Sequence, residues 1–187
     1  MPRPLLLASA SPRRRRLLEW AGFRVEVRPA TVDESWDGEA PMAHARVLAE
    51  KKATTGPSDR VVLAADTVVH RKDRVFGKPR DREDAARILR DLSGAWHEVT
   101  TGVCVRSGGH SGSFAITTQV RFRELTGAEI TAYLATGEAD DKAGAYGIQG
   151  RAGVFVAEIE GSWTNVMGLP LEACIEALAA CGVVPWA

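Results

Sequence analysis

Arg60-Val61-Val62-Leu63-Ala64-Ala65-Asp66-Thr67-Val68-Val69 (residues 60–69) is the run from which the architecture follows. A continuous apolar segment of this length reads as a central strand buried on both faces, which belongs in a mainly parallel α/β sheet. Asp66 is out of character there. A carboxylate in or just past a buried strand is costly unless it has a partner or a metal. Ligands of open α/β sheets gather at the carboxyl ends of strands, where Asp66 lies. A functional carboxylate and a structurally satisfied one both meet this requirement.

Outward toward the amino end, Leu5-Leu6-Leu7 reads as a short buried strand, followed by the turn Ala8-Ser9-Ala10-Ser11 and a helix from Pro12 to Trp20. Ser11 fits the N-cap and Pro12 the first helical position, where its missing donor costs nothing. Such a helix start attracts anions, yet it carries Arg13, Arg14, Arg15 and Arg16. Cations in a first turn oppose the helix dipole by up to about 1 kcal/mol each. At 100° per residue from Leu17, the apolar face is centred between Ala21 and Leu18. Arg14 lies near that centre, Arg13 at its edge and Arg15 on the opposite side. Two guanidiniums at the mouth of the element suit a multiply charged anion; a merely solvated basic helix start is the plainer reading.

Further on, Arg24–Arg28 alternates as a half-buried strand, and Pro29 closes it. The loop Thr31-Val32-Asp33-Glu34-Ser35 offers two carboxylates. Residues Pro41 to Thr54 read as a helix with Val47 and Leu48 inward, and Lys51 and Lys52 in its last turn where the dipole favours them. After the central strand, Val75-Phe76-Gly77-Lys78-Pro79 forms a short strand and turn that presents Lys78. Asp81 caps a helix burying Ala85, Ile88, Leu89 and Leu92. Trp96–Arg106 and Phe114–Phe122 then form a β-hairpin whose residues 107–113 make a mobile loop. Thr126-x-x-Glu129 is a capping box. Residues 140–150 (Asp140 to Gly150) hold three glycines, which suits either backbone apposed to a ligand or a plain glycine-rich loop. Val154–Glu160 alternates as a strand, Trp163–Met167 turns, and Pro170 starts a last helix with Leu171, Cys174, Ile175 and Leu178 on its apolar face.

These readings give an α/β fold: a mixed sheet with flanking helices and a second, antiparallel lobe forming a cleft. Residues 1–187 make one domain, with lobes of approximately 1–95 plus the C-terminal helix, and approximately 96–165. Lysine plus arginine and aspartate plus glutamate number 24 each, so anion sites must be local, and a sequence-independent nucleic-acid binder is not expected. The three cysteines form no C-x-x-C pair, and Cys174, on an apolar helical face, reads as a buried thiol rather than a redox or metal group. The start of the chain lacks the pattern of a signal peptide. No apolar run reaches the roughly 18 residues of a membrane span, so no membrane partner is expected and a reducing cytoplasm is.

The chemistry-bearing residues are cationic (Arg13, Arg14, Lys52, Lys78) with a few carboxylates (Glu34, Asp66, Asp141). That set suits a polyphosphate, with a divalent metal between phosphate and carboxylate oxygens. There is no P-loop, no G-x-G-x-x-G after a strand and no G-x-S-x-G elbow. His44, His70, His97 and His110 show no zinc spacing and pair with no nucleophile. Water attack assisted by Asp66 is simpler than a covalent intermediate.

Several motifs in fixed order carry a resemblance along nearly the whole chain. They are Leu-Ala-Ser-x-Ser-Pro-Arg-Arg at 7–14, Ala-Asp-Thr-Val at 65–68, Gly-Lys-Pro at 77–79 and Leu-Ser-Gly at 92–94. Asp-Lys-Ala-Gly-Ala-Tyr-Gly-Ile-Gln-Gly at 141–150 and Val-Met-Gly-Leu-Pro at 166–170 complete them. The sequence resembles the Maf family of nucleoside triphosphate pyrophosphatases. The resemblance implies hydrolysis of the α–β phosphoanhydride with Mg²⁺ or Mn²⁺, a nucleoside triphosphate as partner, and a homodimer. It implies Asp66 as the acid/base carboxylate, Arg13, Arg14, Lys52 and Lys78 as phosphate ligands, and Ser9 beside them in the substrate site. Glu34 joins Asp66 as a metal ligand.

Three positions sort the family's subgroups. Arg13, Thr67 and Gln149 match the subgroup hydrolysing dTTP and UTP; the 7-methyl-GTP subgroup typically has an aromatic, a glutamine and a glutamate there. A glutamine amide can accept from N3–H of uracil or thymine and donate to a neighbouring carbonyl. A glutamate would instead accept from guanine, and an aromatic could stack on a cationic methylated base. Maf proteins are also associated with inhibition of cell division, and such a binding module would need the cations but not Asp66.

Overall fold

The computed structural model describes residues 4–72 and 74–185. Its strands and helices begin and end at the local signals. Strand β1 (Leu5–Leu7) leads through Ser11, whose side chain accepts from the Arg14 N–H, into helix α1 (Pro12–Trp20). Gly22, with φ of +91°, turns the chain into β2 (Val25–Val27). Helix α2 (Pro41–Thr54), strand β3 (Val62–Arg71), strand β4 (Arg74–Phe76) and helix α3 (Arg82–Leu92) follow. Then come β5 (Trp96–Ser107), β6 (His110–Phe122) and α4 (Gly127–Leu134), entered through the complete Thr126/Glu129 capping box. Strand β7 (Val156–Glu160), the single-turn helix α5 (Trp163–Val166) and α6 (Leu171–Ala179) end the described elements.

The strands of the described residues form a mixed sheet in the order β2-β1-β3-β5-β6-β7, with β4 paired to β3. Strand β1 runs parallel to both β2 and β3, as the buried apolar runs require. Strand β4 is antiparallel to β3, and β7 to β6. Three sequence expectations are corrected here. Asp66 does not lie at the carboxyl end of its strand: β3 continues through Val68 and Val69, paired with β4, to Arg71, so Asp66 sits midway along it. The hairpin loop is not residues 107–113: only Gly108 and Gly109 separate β5 from β6, because Gly108 takes φ +60° and closes a tight turn. Val47 does not face inward but is 36% exposed, whereas Leu48 is buried.

Val47 is displaced by the way α2 packs. Its inward face is Ala45, Leu48, Ala49, Lys52 and Ala53, at helical spacing. Ala49 and Ala53 pack with Leu6, Ala8, Val62, Ala64 and Cys104 in one buried cluster. Small side chains let the helix axis approach closely, and Gly102 of β5 completes the approach: a Cβ there would overlap the Ala45 carbonyl. This stripe sets the azimuth of everything else on α2. Lys52, seven residues after Ala45, falls within about 20° of it and is carried inward.

The chain divides into two compact units, each assembled from separated segments. The first comprises 1–66, 101–116 and 168–187. It contains β1, β2, α1, α2 and α6, with the alanine-lined core just described. The second comprises 67–100 and 117–167. Its core joins the α3 face Ala85, Ile88, Leu89 and Leu92 with Ile130, Tyr133 and Leu134 of α4. Beside them His97, Phe122, Tyr146, Phe155 and Tyr133 stack edge to face at centroid distances from 4.8 to 6.0 Å. Among the described residues no helix is long and apolar enough to cross a membrane.

Candidate active site

The first unit gathers the turn after β1 into a charged site. Arg14, only 9% exposed, donates from Nε to the Gly168 carbonyl at 2.8 Å and from Nη1 to Ser9 Oγ at 3.0 Å. Ser9 Oγ also accepts the Ser11 N–H at 3.3 Å, so one hydroxyl ties the turn to the guanidinium. Burial pushes the Arg14 guanidinium below its ordinary value, and the charges of Asp66 and Glu34 act against that shift. Arg13 is half-buried on the same helix edge, whereas Arg15 is exposed and pairs with Glu19 at 2.7 Å. The helical geometry read from sequence thus separates the arginines as the structure does.

Lys52 is the second centre of this unit. Its Nζ lies 2.6 Å from Glu34 Oε1 and 2.7 Å from Asp66 Oδ1. The ammonium and Asp66 are largely enclosed, while Glu34 is half exposed on its loop. That loop is anchored further on, where Trp36 packs on His44 at 4.4 Å between ring centroids and Glu39 meets His44 Nδ1 at 2.7 Å. A charged hydrogen bond inside a poorly hydrated site is stronger than one at the surface, and it holds the Asp66 carboxylate in one orientation.

These residues also decide how a divalent cation could be held. Among the described residues no group of three or more His, Cys, Asp or Glu converges on a metal position. Glu34 and Asp66 offer hard oxygen donors that meet through Lys52. Mg²⁺ and Mn²⁺ at phosphate sites take one or two carboxylates and fill the remaining positions with phosphate oxygens and water. The donor set fits that pattern.

The second unit holds Thr67, Lys78 and Gln149. Thr67 follows Asp66 on β3, so its side chain starts on the opposite face of the strand. Lys78 is exposed just beyond β4, on a turn tied to the glycine loop by the Gly144 N–H donating to the Gly77 carbonyl at 3.2 Å. Gln149 is half-buried, and its Oε1 is enclosed without a hydrogen-bond partner. An enclosed amide acceptor left empty costs about 1–3 kcal/mol, which a ligand donor would recover.

The glycines of this loop are explained by the chain's own packing. Gly144, at φ +73°, faces Val69, whose Cγ1 would lie 3.0 Å from an added Cβ. At Gly147 an added Cβ would lie 2.9 Å from Gln149 Nε2 and 2.9 Å from Lys142 Cε. At Gly150 it would overlap Glu138 Oε2, the atom that accepts the Arg151 N–H at 2.9 Å.

Three contributors escaped the sequence reading: Gly168, whose carbonyl holds Arg14, and Lys142 and Glu138, which wall the Gln149 loop. Gly168 belongs to the run Val166-Met167-Gly168-Leu169-Pro170, but nothing in the sequence links it to a residue 154 positions earlier. His44 braces the Glu34 loop, but His70 and His97 lie in the second unit and are bonded elsewhere. His70 meets Thr100 Oγ1 at 2.9 Å and Glu98 at 3.2 Å, and His97 meets the Tyr146 hydroxyl at 2.8 Å. Cys174 is buried on α6 and its thiol is pushed up by burial, so it is inert.

The chain is similar to known proteins along nearly its whole length. Residues 4–181 match the family model of Maf-like proteins. The chain is 51% identical to a dTTP/UTP pyrophosphatase of Anaeromyxobacter sp. (strain Fw109-5), over 97% of this chain and 92% of the relative. It is 49% identical to a dTTP/UTP pyrophosphatase of Moorella thermoacetica, over 97% of both chains. With one of Chromobacterium violaceum it shares 48% identity, over 95% of this chain and 94% of the relative.

Proposed function

The chain belongs to the family of Maf-like proteins, and from that premise we propose that it hydrolyses dTTP and UTP to the nucleoside monophosphate and pyrophosphate. The observation that carries this reading is the contact of Lys52 with both Glu34 and Asp66. It gives the first unit an oriented carboxylate beside a buried cation, the pairing that phosphoanhydride hydrolysis uses.

Water attacks the α-phosphorus, the bond from that phosphorus to the α–β bridging oxygen breaks, and pyrophosphate leaves. Asp66 accepts the proton of the attacking water, a role supported by its place midway along β3, where the strand's burial is interrupted, and by its contact with Lys52. Arg13, Arg14, Lys52 and Lys78 neutralise phosphate charge, and Ser9 keeps Arg14 aimed. Arginine suits this role because its planar fork bonds the protein on one edge and phosphate oxygens on the other. Glu34 and Asp66 would hold the divalent metal, which when bound supplies further charge neutralisation on the phosphates.

Gln149 reads the base, with its empty Oε1 accepting from N3–H of uracil or thymine. Thr67 and Arg13 complete the pyrimidine-class signature. The names of the relatives support this choice over 7-methyl-GTP.

A pyrophosphate-release panel across UTP, dTTP, CTP, GTP and 7-methyl-GTP tests the reading, run with Mg²⁺ or Mn²⁺ and again with chelator. UTP and dTTP should lead, and chelation should abolish release. Preferred turnover of 7-methyl-GTP would overturn the base assignment, and absence of pyrophosphate release from every nucleotide would overturn the reaction.

A further inference from the structure

Gly147 is the residue on which the Gln149 amide rests. The space its missing side chain leaves is filled from two directions, by Gln149 Nε2 and by the Cε and Cδ carbons of Lys142. These are the far ends of two flexible side chains that converge on one backbone position. The φ of Gly147 lies outside the left-handed region, so the backbone does not demand glycine there. Steric room for the amide does.

The other wall of this seat is fixed. Lys142 Nζ donates to the Glu138 carbonyl at 2.6 Å and pairs with Asp141, which holds its stem along Gly147. Glu138 in turn accepts the Arg151 N–H at 2.9 Å, and its carboxylate lies against Gly150. One glutamate therefore ties both ends of the segment 138–151, with its backbone at one end and its side chain at the other. The Gln149 amide is left with its Nε2 against Gly147 and its Oε1 enclosed and unpartnered.

We propose that Gly147, walled by Lys142, is a specificity-positioning residue: its bare Cα seats the Gln149 amide so that the enclosed Oε1 meets an imide N–H of the base. This rests on the reading of Gln149 as the base contact. Gly147 touches no reacting atom and acts through Gln149. A Cβ there displaces two side-chain ends rather than backbone, so Gly147→Ala should fold normally while shifting the amide.

The test is a double-mutant cycle with a base-free control. Gly147→Ala should raise KM for UTP and dTTP about tenfold, with the loss in KM rather than in kcat. Competitive inhibition by inorganic tripolyphosphate, which has phosphates but no base, should not change. In a Gln149→Ala background the same glycine substitution should have no further effect, because the seat has lost its occupant. Lys142→Met, which keeps the stem but drops the ammonium ties, should raise the same KM values about threefold.

If Gly147→Ala and Lys142→Met leave KM unchanged while Gln149→Ala raises it, the seat is refuted and the base reading stands. If Gln149→Ala itself leaves KM unchanged, the base reading falls and the seat with it. Weakened tripolyphosphate inhibition in Gly147→Ala, matching the change in KM, would mean a general loss of loop structure and would also overturn the proposal.

Discussion

Lys52 Nζ lies 2.7 Å from Asp66 Oδ1, and it reaches that carboxylate from a helix whose buried residues around it are Leu48, Ala49 and Ala53. The contact is the endpoint of packing decisions made two turns earlier. Ala45 and Ala49 bring α2 close to the sheet, and the helical repeat then carries Lys52 to the same side.

Asp66→Asn preserves the shape of the side chain and an acceptor for Lys52 but removes the proton-accepting charge. Pyrophosphate release should fall about 10²- to 10⁴-fold in kcat. The circular dichroism spectrum and melting temperature should stay near those of the parent. Undiminished turnover would remove Asp66 from the catalytic role.

Arg14→Lys separates charge from geometry. A single ammonium cannot serve the Gly168 carbonyl and Ser9 Oγ while presenting a second edge to phosphate. We expect kcat/KM for UTP to drop about 10- to 100-fold, equivalent to about 1.4 to 3 kcal/mol of transition-state stabilisation. Arg15→Lys, on the exposed side with Glu19, should change it less than twofold.

Gly102→Ala tests the close approach of α2. The added methyl meets the backbone of Ala45, which cannot step aside as a side chain can. Overpacking against backbone should cost about 3 kcal/mol, read as a lower urea midpoint. Because α2 carries Lys52, the surviving folded protein should also turn over UTP more slowly.

His97 gives the fold a pH dependence. Burial lowers its imidazole to about 4, from an ordinary 6.5. The unfolded chain therefore binds more protons than the folded one between those values, and stability falls as pH drops from 6.5 toward 4. The full effect is about 3 kcal/mol, with little further change from this group below its folded value. Urea denaturation at pH 7, 5.5 and 4.5 should show the slope in the parent and a shallower one in His97→Leu, where His70, also lowered by burial, still contributes.

Local signals in the sequence carried most of the secondary structure. The bounds Pro41–Thr54, the Asp81 cap with its buried face, and the Thr126/Glu129 box all rest on contacts within a few residues. Val47 and Leu48 are both apolar, and what turns Leu48 inward is the packing of the alanine stripe on distant residues such as Val62, Cys104 and Gly102, which local pattern does not reveal. The Gly108–Gly109 turn was missed because polar residues 110–113 look like loop but pair as an edge of strand. At the site, Arg14 could be told from Arg15 by helical angle alone. The partners that fix it could not, since a carbonyl such as that of Gly168 has no side-chain signature.

That carbonyl has a consequence for the order in which the molecule is made. Arg14 leaves the ribosome before its acceptor, which follows 154 residues later. A nascent chain stopped after β7 has Arg13 to Arg16, Ser9 and the central strand, yet lacks the carbonyl that accepts from Arg14 Nε. Turnover should therefore begin only once the last stretch has emerged, so that a prematurely terminated product is inert rather than partly active.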